Sequence, residues 1–254
     1  MLKDVTLGQY YPSNSIIHRL DPRVKLFGTL LYLVTLFLAK NPIVYGLCGV
    51  FLAVCICISR VPLKFMVKGL RSIAIILAIS LVFTYFNEGL EQTVYMALRM
   101  VMLILGASIM TLTTTPTRLA DGLEKALGFL NKVRFPVHEL AMIISIALRF
   151  IPILMEEADM IMKAQTARGA DFTHGNIFMR IRAIVPIIVP LFVSAIKRAG
   201  DLANAMEARC YHGGEGRTKM MPLKYAKRDA FAYLILFTYL ALIICGKIFW
   251  KKFF

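Results

Sequence analysis

The sequence lacks the motifs by which many enzymes bind nucleotides and metals. It contains no G-x-x-x-x-G-K-[ST] stretch, so we expect that this chain does not hydrolyse ATP itself. His138-Glu139 begins like the zinc motif H-E-x-x-H, but Met142 occupies the second ligand position. The five cysteines are not spaced like metal ligands, and we interpret them as free apolar thiols. We therefore predict no catalytic residue, no metal site and no cofactor bound by this chain.

Acidic residues are also scarce. Against 15 Asp and Glu the chain has 30 Lys and Arg, which gives a net charge of +15. Such an excess often indicates nucleic-acid binding. Here, however, 58% of the residues are hydrophobic and the mean hydropathy is +0.68. In membrane proteins, excess Lys and Arg mark cytoplasmic loops. The composition therefore predicts an integral membrane protein that lies in a lipid bilayer and does not bind nucleic acid.

Long uncharged runs predict five membrane spans. Some are shorter than the ~20 residues that cross a bilayer, but flanking side chains such as Lys25 and Lys40 can extend them by snorkelling. Residues 1–25 are charged throughout and have no apolar core, so we expect no signal peptide. The five runs are Leu26–Ala39, Asn41–Ser59, Ser72–Asn87, Met100–Thr117 and Ala230–Gly246.

The distribution of basic residues predicts the orientation. With the N-terminus inside, 25 of the 30 Lys and Arg residues lie on the cytoplasmic side. We therefore predict residues 1–117 as an N-terminal cytoplasmic segment with four spans, 118–228 as a cytoplasmic coupling domain, and 229–254 as the last span with a C-terminal tail. The expected location is the prokaryotic cell membrane, and the fold class is an all-α integral membrane protein.

The coupling domain is expected to contain three long helices. The first begins at Pro116 and runs to about Asn131, the second runs from Pro136 to Gly169, and the third from about Asn176 to Tyr211. Within them, the uncharged runs Leu140–Leu148 and Ala183–Ile196 are too short to cross a bilayer. A seven-span protein is the alternative, and it would place Arg168 outside.

Two short stretches, Ala167-Arg168-Gly169 and Ala208-Arg209-Cys210, end the second and third of these helices. They are 41 residues apart, and each follows an alanine face, Ala164 with Ala167 and Ala205 with Ala208. Small residues allow another backbone to approach closely. An arginine at a helix C-terminus is favoured by the helix dipole, and its planar fork binds carboxylates in a bidentate manner. A solvated arginine is the simpler interpretation, but it explains one such end better than two.

Several stretches in a fixed order resemble the transmembrane T component of energy-coupling factor (ECF) transporters, vitamin and metal importers related to ABC transporters. The resemblance covers nearly the whole chain. The stretches that carry it are His18-Arg19-Leu20-Asp21-Pro22-Arg23-Val24-Lys25-Leu26, Arg149-Phe150-Ile151-Pro152, Glu156-Glu157-Ala158, Ala167-Arg168-Gly169 and Ala205-Met206-Glu207-Ala208-Arg209.

The resemblance implies a coupling function without catalysis. Two cytoplasmic ABC ATPases, which bind ATP and Mg, would dock on Ala167, Arg168 and Gly169 and on Ala208, Arg209 and Cys210. Their closure would reorient a separate substrate-binding S component in the membrane. Cys210 stands where the family has glycine, so we expect the third helix to continue to Tyr211 or His212 and to stop at Gly213-Gly214.

Two other classes of function stay open at the level of sequence. A conventional ABC permease subunit would form the substrate path itself, yet the five runs carry no interior charge to line one. An integral membrane enzyme would need an acid/base or metal cluster at one membrane face, and the sequence suggests none. The transported substrate does not follow from the sequence, because the S component would select it.

Overall fold

A computed structural model describes residues 10–39, 41–128, 136–170, 177–213 and 223–253. Every regular element in these ranges is helical, which confirms the prediction of an all-α membrane protein. A short 3₁₀ helix, Ile17–Arg19, precedes seven α-helices. They are α1 Pro22–Phe37, α2 Pro42–Ser59, α3 Leu63–Thr113, α4 Pro116–Ala126, α5 Val137–Ala167, α6 Ile177–Ala208 and α7 Lys227–Phe253.

The chain divides into two compact units. One comprises Leu130–Lys219 with Met1–Leu7, and among the described residues it consists of α5 and α6. The other comprises Gly8–Phe129 and Met220–Phe254, and it contains α1–α4 and α7. We call them the paired-helix unit and the bundle unit.

The bundle unit is built around α1, which packs against α2, α3, α4 and α7. Its core includes Leu36, Cys48 and Tyr239, all fully or nearly fully buried. The Tyr239 hydroxyl lies 2.9 Å from Thr35 Oγ1 and 3.2 Å from Cys48 Sγ. Its ring stacks on Phe51 with 4.2 Å between ring centroids. Aromatic stacking and a satisfied hydroxyl thus join α7 to α1 and α2.

Helix α3 contains two of the predicted spans. Its 51 residues are interrupted at Gly89, where φ is +83° and ψ is −179°. The Thr84 hydroxyl donates to Met96 Sδ at 2.9 Å, although residues 12 positions apart in a straight helix are separated by ~18 Å. The two halves therefore fold back on each other at Gly89. Only glycine adopts this backbone conformation at low cost. The second half ends at Thr113, four residues earlier than predicted, because Pro116 begins α4.

Within the described ranges, four stretches are long and apolar enough to cross a membrane: Pro42–Ser59, Ile73–Thr113, Val137–Ala167 and Lys227–Ile248. The 41 residues of the second are long enough to cross twice around Gly89. Helix α1, with 16 residues, is shorter than a typical span.

The stretch within α5 changes one step of the sequence interpretation. The run Leu140–Leu148 was judged too short to cross because Arg149 ends it, but α5 continues unbroken through Arg149 and Pro152 for 31 residues. A single charge does not stop a helix, so α5 qualifies as a span by length and composition. The number of spans and the cytoplasmic location of 118–228 therefore stay predictions.

The ends of the three predicted coupling helices also differ in detail. The first, α4, ends at Ala126 and not near Asn131, which lies outside the described residues. The second, α5, begins at Val137 with Pro136 in the N-cap position. The third, α6, ends at Ala208, three residues before the predicted Tyr211.

Candidate functional site

An ion pair joins the two helices of the paired-helix unit. Arg198 Nη2 on α6 lies 3.0 Å from Glu157 Oε2 on α5. These residues are 41 positions apart, the same separation as Arg168 and Arg209. The ion pair therefore lies 11 residues before each arginine, or ~16 Å along a helix. Beside it, the small side chain of Ala158 is buried. The two helices are thus tied at equivalent positions.

The C-terminus of α5 has the backbone hydrogen bonds of a Schellman cap. The amide of Gly169 donates to Thr166 O at 2.9 Å, and the amide of Ala170 donates to Gln165 O at 3.0 Å. Gly169 has a φ of +89°, the left-handed conformation that this motif requires. The cap satisfies carbonyls that would otherwise lack partners and fixes the direction of Arg168.

The C-terminus of α6 has the same cap. The amide of Cys210 donates to Glu207 O at 2.9 Å, and the amide of Tyr211 donates to Met206 O at 3.0 Å. Cys210 has a φ of +58°. The prediction that the helix continues past Cys210 is therefore wrong.

Whether the helix ends at Cys210 depends on backbone strain at this residue and on the hydrogen bonds of the cap. A β-carbon in the left-handed region costs ~1–2 kcal/mol, and each hydrogen bond contributes ~1 kcal/mol. The two cap bonds satisfy the carbonyls of Met206 and Glu207 as the chain leaves the helix, so the left-handed Cys210 costs only its local strain. Glycine is therefore not required for the helix to end there.

The residues of both helix ends are exposed. This applies to Arg168 and Arg209 and to the alanines before them, Ala164, Ala167, Ala205 and Ala208. Neither guanidinium has an ion pair or a hydrogen bond among the residues that the structure describes. Each end therefore presents a small-residue face and five N–H donors to its surroundings. This chemistry suits a partner groove that carries a carboxylate.

A second polar site, in the bundle unit, was missed by reasoning from the sequence. Lys25 was expected to snorkel, but its side chain is buried. Its ammonium donates to Thr113 O at 2.9 Å, to Thr114 Oγ1 at 3.2 Å and to His18 O at 3.4 Å. Burial lowers the pKa of Lys25 to about 8, and the nearby charge of Arg118 acts in the same direction. The lysine thus caps the C-terminal end of α3.

Asp229, at the start of α7, completes this site. It is 2% exposed, and its two carboxylate oxygens accept from backbone amides, Oδ1 from Asp21 at 2.9 Å and Oδ2 from Ala226 at 2.8 Å. Asp21 in turn caps α1 by accepting from the Arg23 amide at 2.9 Å. We call Asp21, Lys25, Thr113 and Asp229 the polar junction. It joins the ends of α1, α3 and α7.

His18 extends the polar junction towards the N-terminus. Its Nδ1 lies 2.7 Å from Ser15 Oγ, and its Nε2 lies 3.0 Å from Tyr11 O. The Tyr11 amide donates to Leu112 O at 2.9 Å, which attaches the segment to α3. Burial lowers the pKa of His18, and repulsion from Lys25 adds to this effect. The only signal for this site in the sequence was the motif spanning residues 18–26, whose roles it did not reveal.

No group of three or more His, Cys, Asp or Glu side chains suited to a metal ion occurs among the described residues.

The two sites together define a class: a helical membrane protein with two exposed, arginine-bearing helix ends and a buried polar junction. The family model of CbiQ, described as cobalt transport protein, matches residues 13–220 of this chain.

Curated relatives make the family specific. The energy-coupling factor transporter transmembrane protein EcfT of Clostridium kluyveri is 46% identical over 99% of this chain and 100% of its own length. The proteins of the same name from Thermosediminibacter oceani and Bacillus subtilis are 47% and 45% identical, over 92% and 96% of this chain and 94% and 98% of their own lengths. The chain belongs to the family of energy-coupling factor transporter transmembrane proteins, as the resemblance predicted.

Proposed function

We propose that this chain is the non-catalytic coupling subunit of an ECF-type importer. Two cytoplasmic ATPases dock on it, one at the α5 end around Arg168 and one at the α6 end around Arg209. ATP-driven closure of the ATPases moves α5 and α6, and this movement reorients a membrane-embedded S component that binds the substrate. The chain spans the cell membrane several times, with its N-terminus and both arginines on the cytoplasmic side.

One observation supports this proposal above all: the two helix ends are equivalent. Both have the same pair of cap hydrogen bonds and a left-handed residue directly after the arginine. Both lie 11 residues beyond the Glu157–Arg198 ion pair. Two equivalent ends suit two similar partners, as in a pair of ATPase subunits.

The ion pair also suggests how motion is transmitted. The ion pair joins α5 to α6 at a point 11 residues before each arginine. Displacement of one helix end is therefore carried to the other helix. The bound arginines supply specific contact with a carboxylate, and the alanine faces allow close approach. The relatives are named as transmembrane proteins of an energy-coupling factor transporter, which agrees with a subunit that works within a larger complex.

The proposal is tested by removing both arginine side chains. In the Arg168→Ala, Arg209→Ala double variant, loss of a charged partner at each buried contact costs ~2–5 kcal/mol, so the ATPases are released on purification and uptake stops. The control is Lys197→Ala, which removes an exposed cation of α6 twelve residues before Arg209. A double arginine variant that retains stoichiometric ATPases would contradict the proposal.

A further inference from the structure

A large cleft opens within the bundle unit between α1, α2, α3 and α7. Its volume is about 750 Å³. Most of its wall is aliphatic or aromatic, with Val24, Val54, Phe51 and Leu242 among the lining residues. The lining residues on α7 extend from Arg228 to Leu242, a distance of ~21 Å along the helix. The cleft is therefore longer than the ~15 Å of hydrocarbon in one bilayer leaflet.

The charged residues that line the cleft lie at one end. Lys25, Thr113 and Arg228 line it there, at the level where the polar junction joins α1, α3 and α7. Arg228 is exposed, as are the neighbouring cations Lys224 and Lys227. An occupant of this cleft thus meets positive charge at one end and an uncharged, mostly apolar wall along the rest of its length.

Two buried hydroxyl groups in the wall lack hydrogen bonds. Tyr32 Oη and Thr113 Oγ1 have no partner in the part of the chain that the structure describes, although their residues are only 4% and 2% exposed. Both residues line the cleft. Both oxygens are enclosed by the protein itself, so the polar contact available to an occupant lies at the cationic end of the cleft.

We propose that this cleft binds one anionic phospholipid, with an acyl chain between α1, α2 and α7 and its phosphate at Arg228. A transmembrane helix of a partner protein would fill the apolar wall but would not neutralise the cations at the cleft end. In the topology proposed above, this end lies at the cytoplasmic leaflet, where anionic lipids attract basic residues.

The test uses the full-length chain in its purified complex, placed in nanodiscs of phosphatidylcholine mixed with phosphatidylglycerol. Native mass spectrometry then counts the lipids that the complex retains. We expect the wild-type chain to retain phosphatidylglycerol in preference to phosphatidylcholine. Arg228→Gln is expected to lower this retention roughly fivefold, the effect of one cation near an anionic surface. Lys247→Gln, which removes an exposed charge from the other end of α7, leaves it unchanged.

A second pair of variants tests the acyl-chain path. Cys55 lines the cleft and Cys57, two residues further along α2, does not. Cys55→Phe narrows the cleft and lowers phospholipid retention, whereas Cys57→Phe does not. Equal retention in these two variants would overturn the proposal, and so would equal retention of both lipids by the wild-type chain. Cross-linking of Cys55 to a partner protein, with no lipid retained, would overturn it as well. Lipid retention is read out independently of ATPase docking.

Discussion

Gly169 and Cys210 occupy equivalent positions in two helix caps, 41 residues apart in the sequence. Each follows the arginine that ends its helix, and each has a left-handed backbone, with φ of +89° at the glycine and +58° at the cysteine. The amides of both residues donate to the carbonyl three residues earlier, at 2.9 Å in each case. One backbone conformation therefore presents both arginines, although only one of the two caps contains the residue best suited to it.

This equivalence predicts that Cys210→Gly stabilises the protein. Removing the β-carbon relieves ~1–2 kcal/mol of left-handed strain, while the greater freedom of glycine in the unfolded chain offsets ~0.4–1 kcal/mol. The net gain is about 0.5–1 kcal/mol, measurable as a higher thermal unfolding midpoint of the purified complex. Cys210→Ala keeps a β-carbon and should leave the midpoint nearly unchanged. The opposite change, Gly169→Ala, should lower it. A Cys210→Gly variant that is less stable than the wild type would show that the cap is not strained at Cys210.

The Glu157–Arg198 ion pair is predicted to contribute a measurable coupling energy. With side-chain exposures of 18% for Glu157 and 41% for Arg198, the pair is partly screened by solvent, so we expect a coupling energy well below that of a buried ion pair. A double-mutant cycle with Glu157→Gln and Arg198→Gln measures this energy from thermal or denaturant unfolding. The exchanged pair, Glu157→Arg with Arg198→Glu, serves as the control and should recover part of the loss. Strict additivity of the two single variants would indicate that the pair contributes nothing.

Because His18 is buried, we expect the folded protein to lose stability in mild acid. Because burial lowers its pKa below the ordinary value of 6.5, the folded state binds fewer protons than the unfolded state. Stability is therefore fully present above pH 6.5 and falls as the pH drops through the pKa of the folded state.

Unfolding midpoints measured from pH 7.5 down to pH 5 test this expectation. His18→Gln removes the titrating group, so its midpoint should be lower at pH 7.5 but should depend less on pH. Three other histidines are unchanged in this variant, so the difference between the two curves isolates His18. Curves that stay parallel across the whole range would assign the pH dependence to other groups.

Much of the fold could be predicted from the sequence, because hydrophobic runs and prolines act locally. The uncharged run Asn41–Ser59 corresponds to α2, and Pro116 begins α4. The burial of Lys25 could not be predicted, because it depends on the end of α3, 88 residues away, meeting the start of α1. The absence of glycine at position 210 likewise predicted the wrong end for α6, since the cap bonds form around Cys210 without it.

The proposed topology predicts where reagents reach the chain. In a cysteine-free background, Thr166→Cys and Glu207→Cys should resist an impermeant thiol reagent in intact cells and react in inside-out vesicles. Glu88→Cys, beside the turn at Gly89, is the positive control, since five spans place it outside. Labelling of position 166 from outside would instead support seven spans and would place Arg168 away from any cytoplasmic ATPase.

The central claim is that each arginine-bearing helix end contacts its own ATPase. Site-specific photo-cross-linking from positions 166 and 207 of the assembled complex tests it most directly, because both positions lie within two residues of the arginines. The proposal predicts that each position cross-links to an ATPase subunit, and that a chain with probes at both positions captures two. Exposed positions 156 and 197, each 12 residues before its arginine, should capture none. Cross-links from 166 and 207 only to lipid or to another membrane subunit would contradict it.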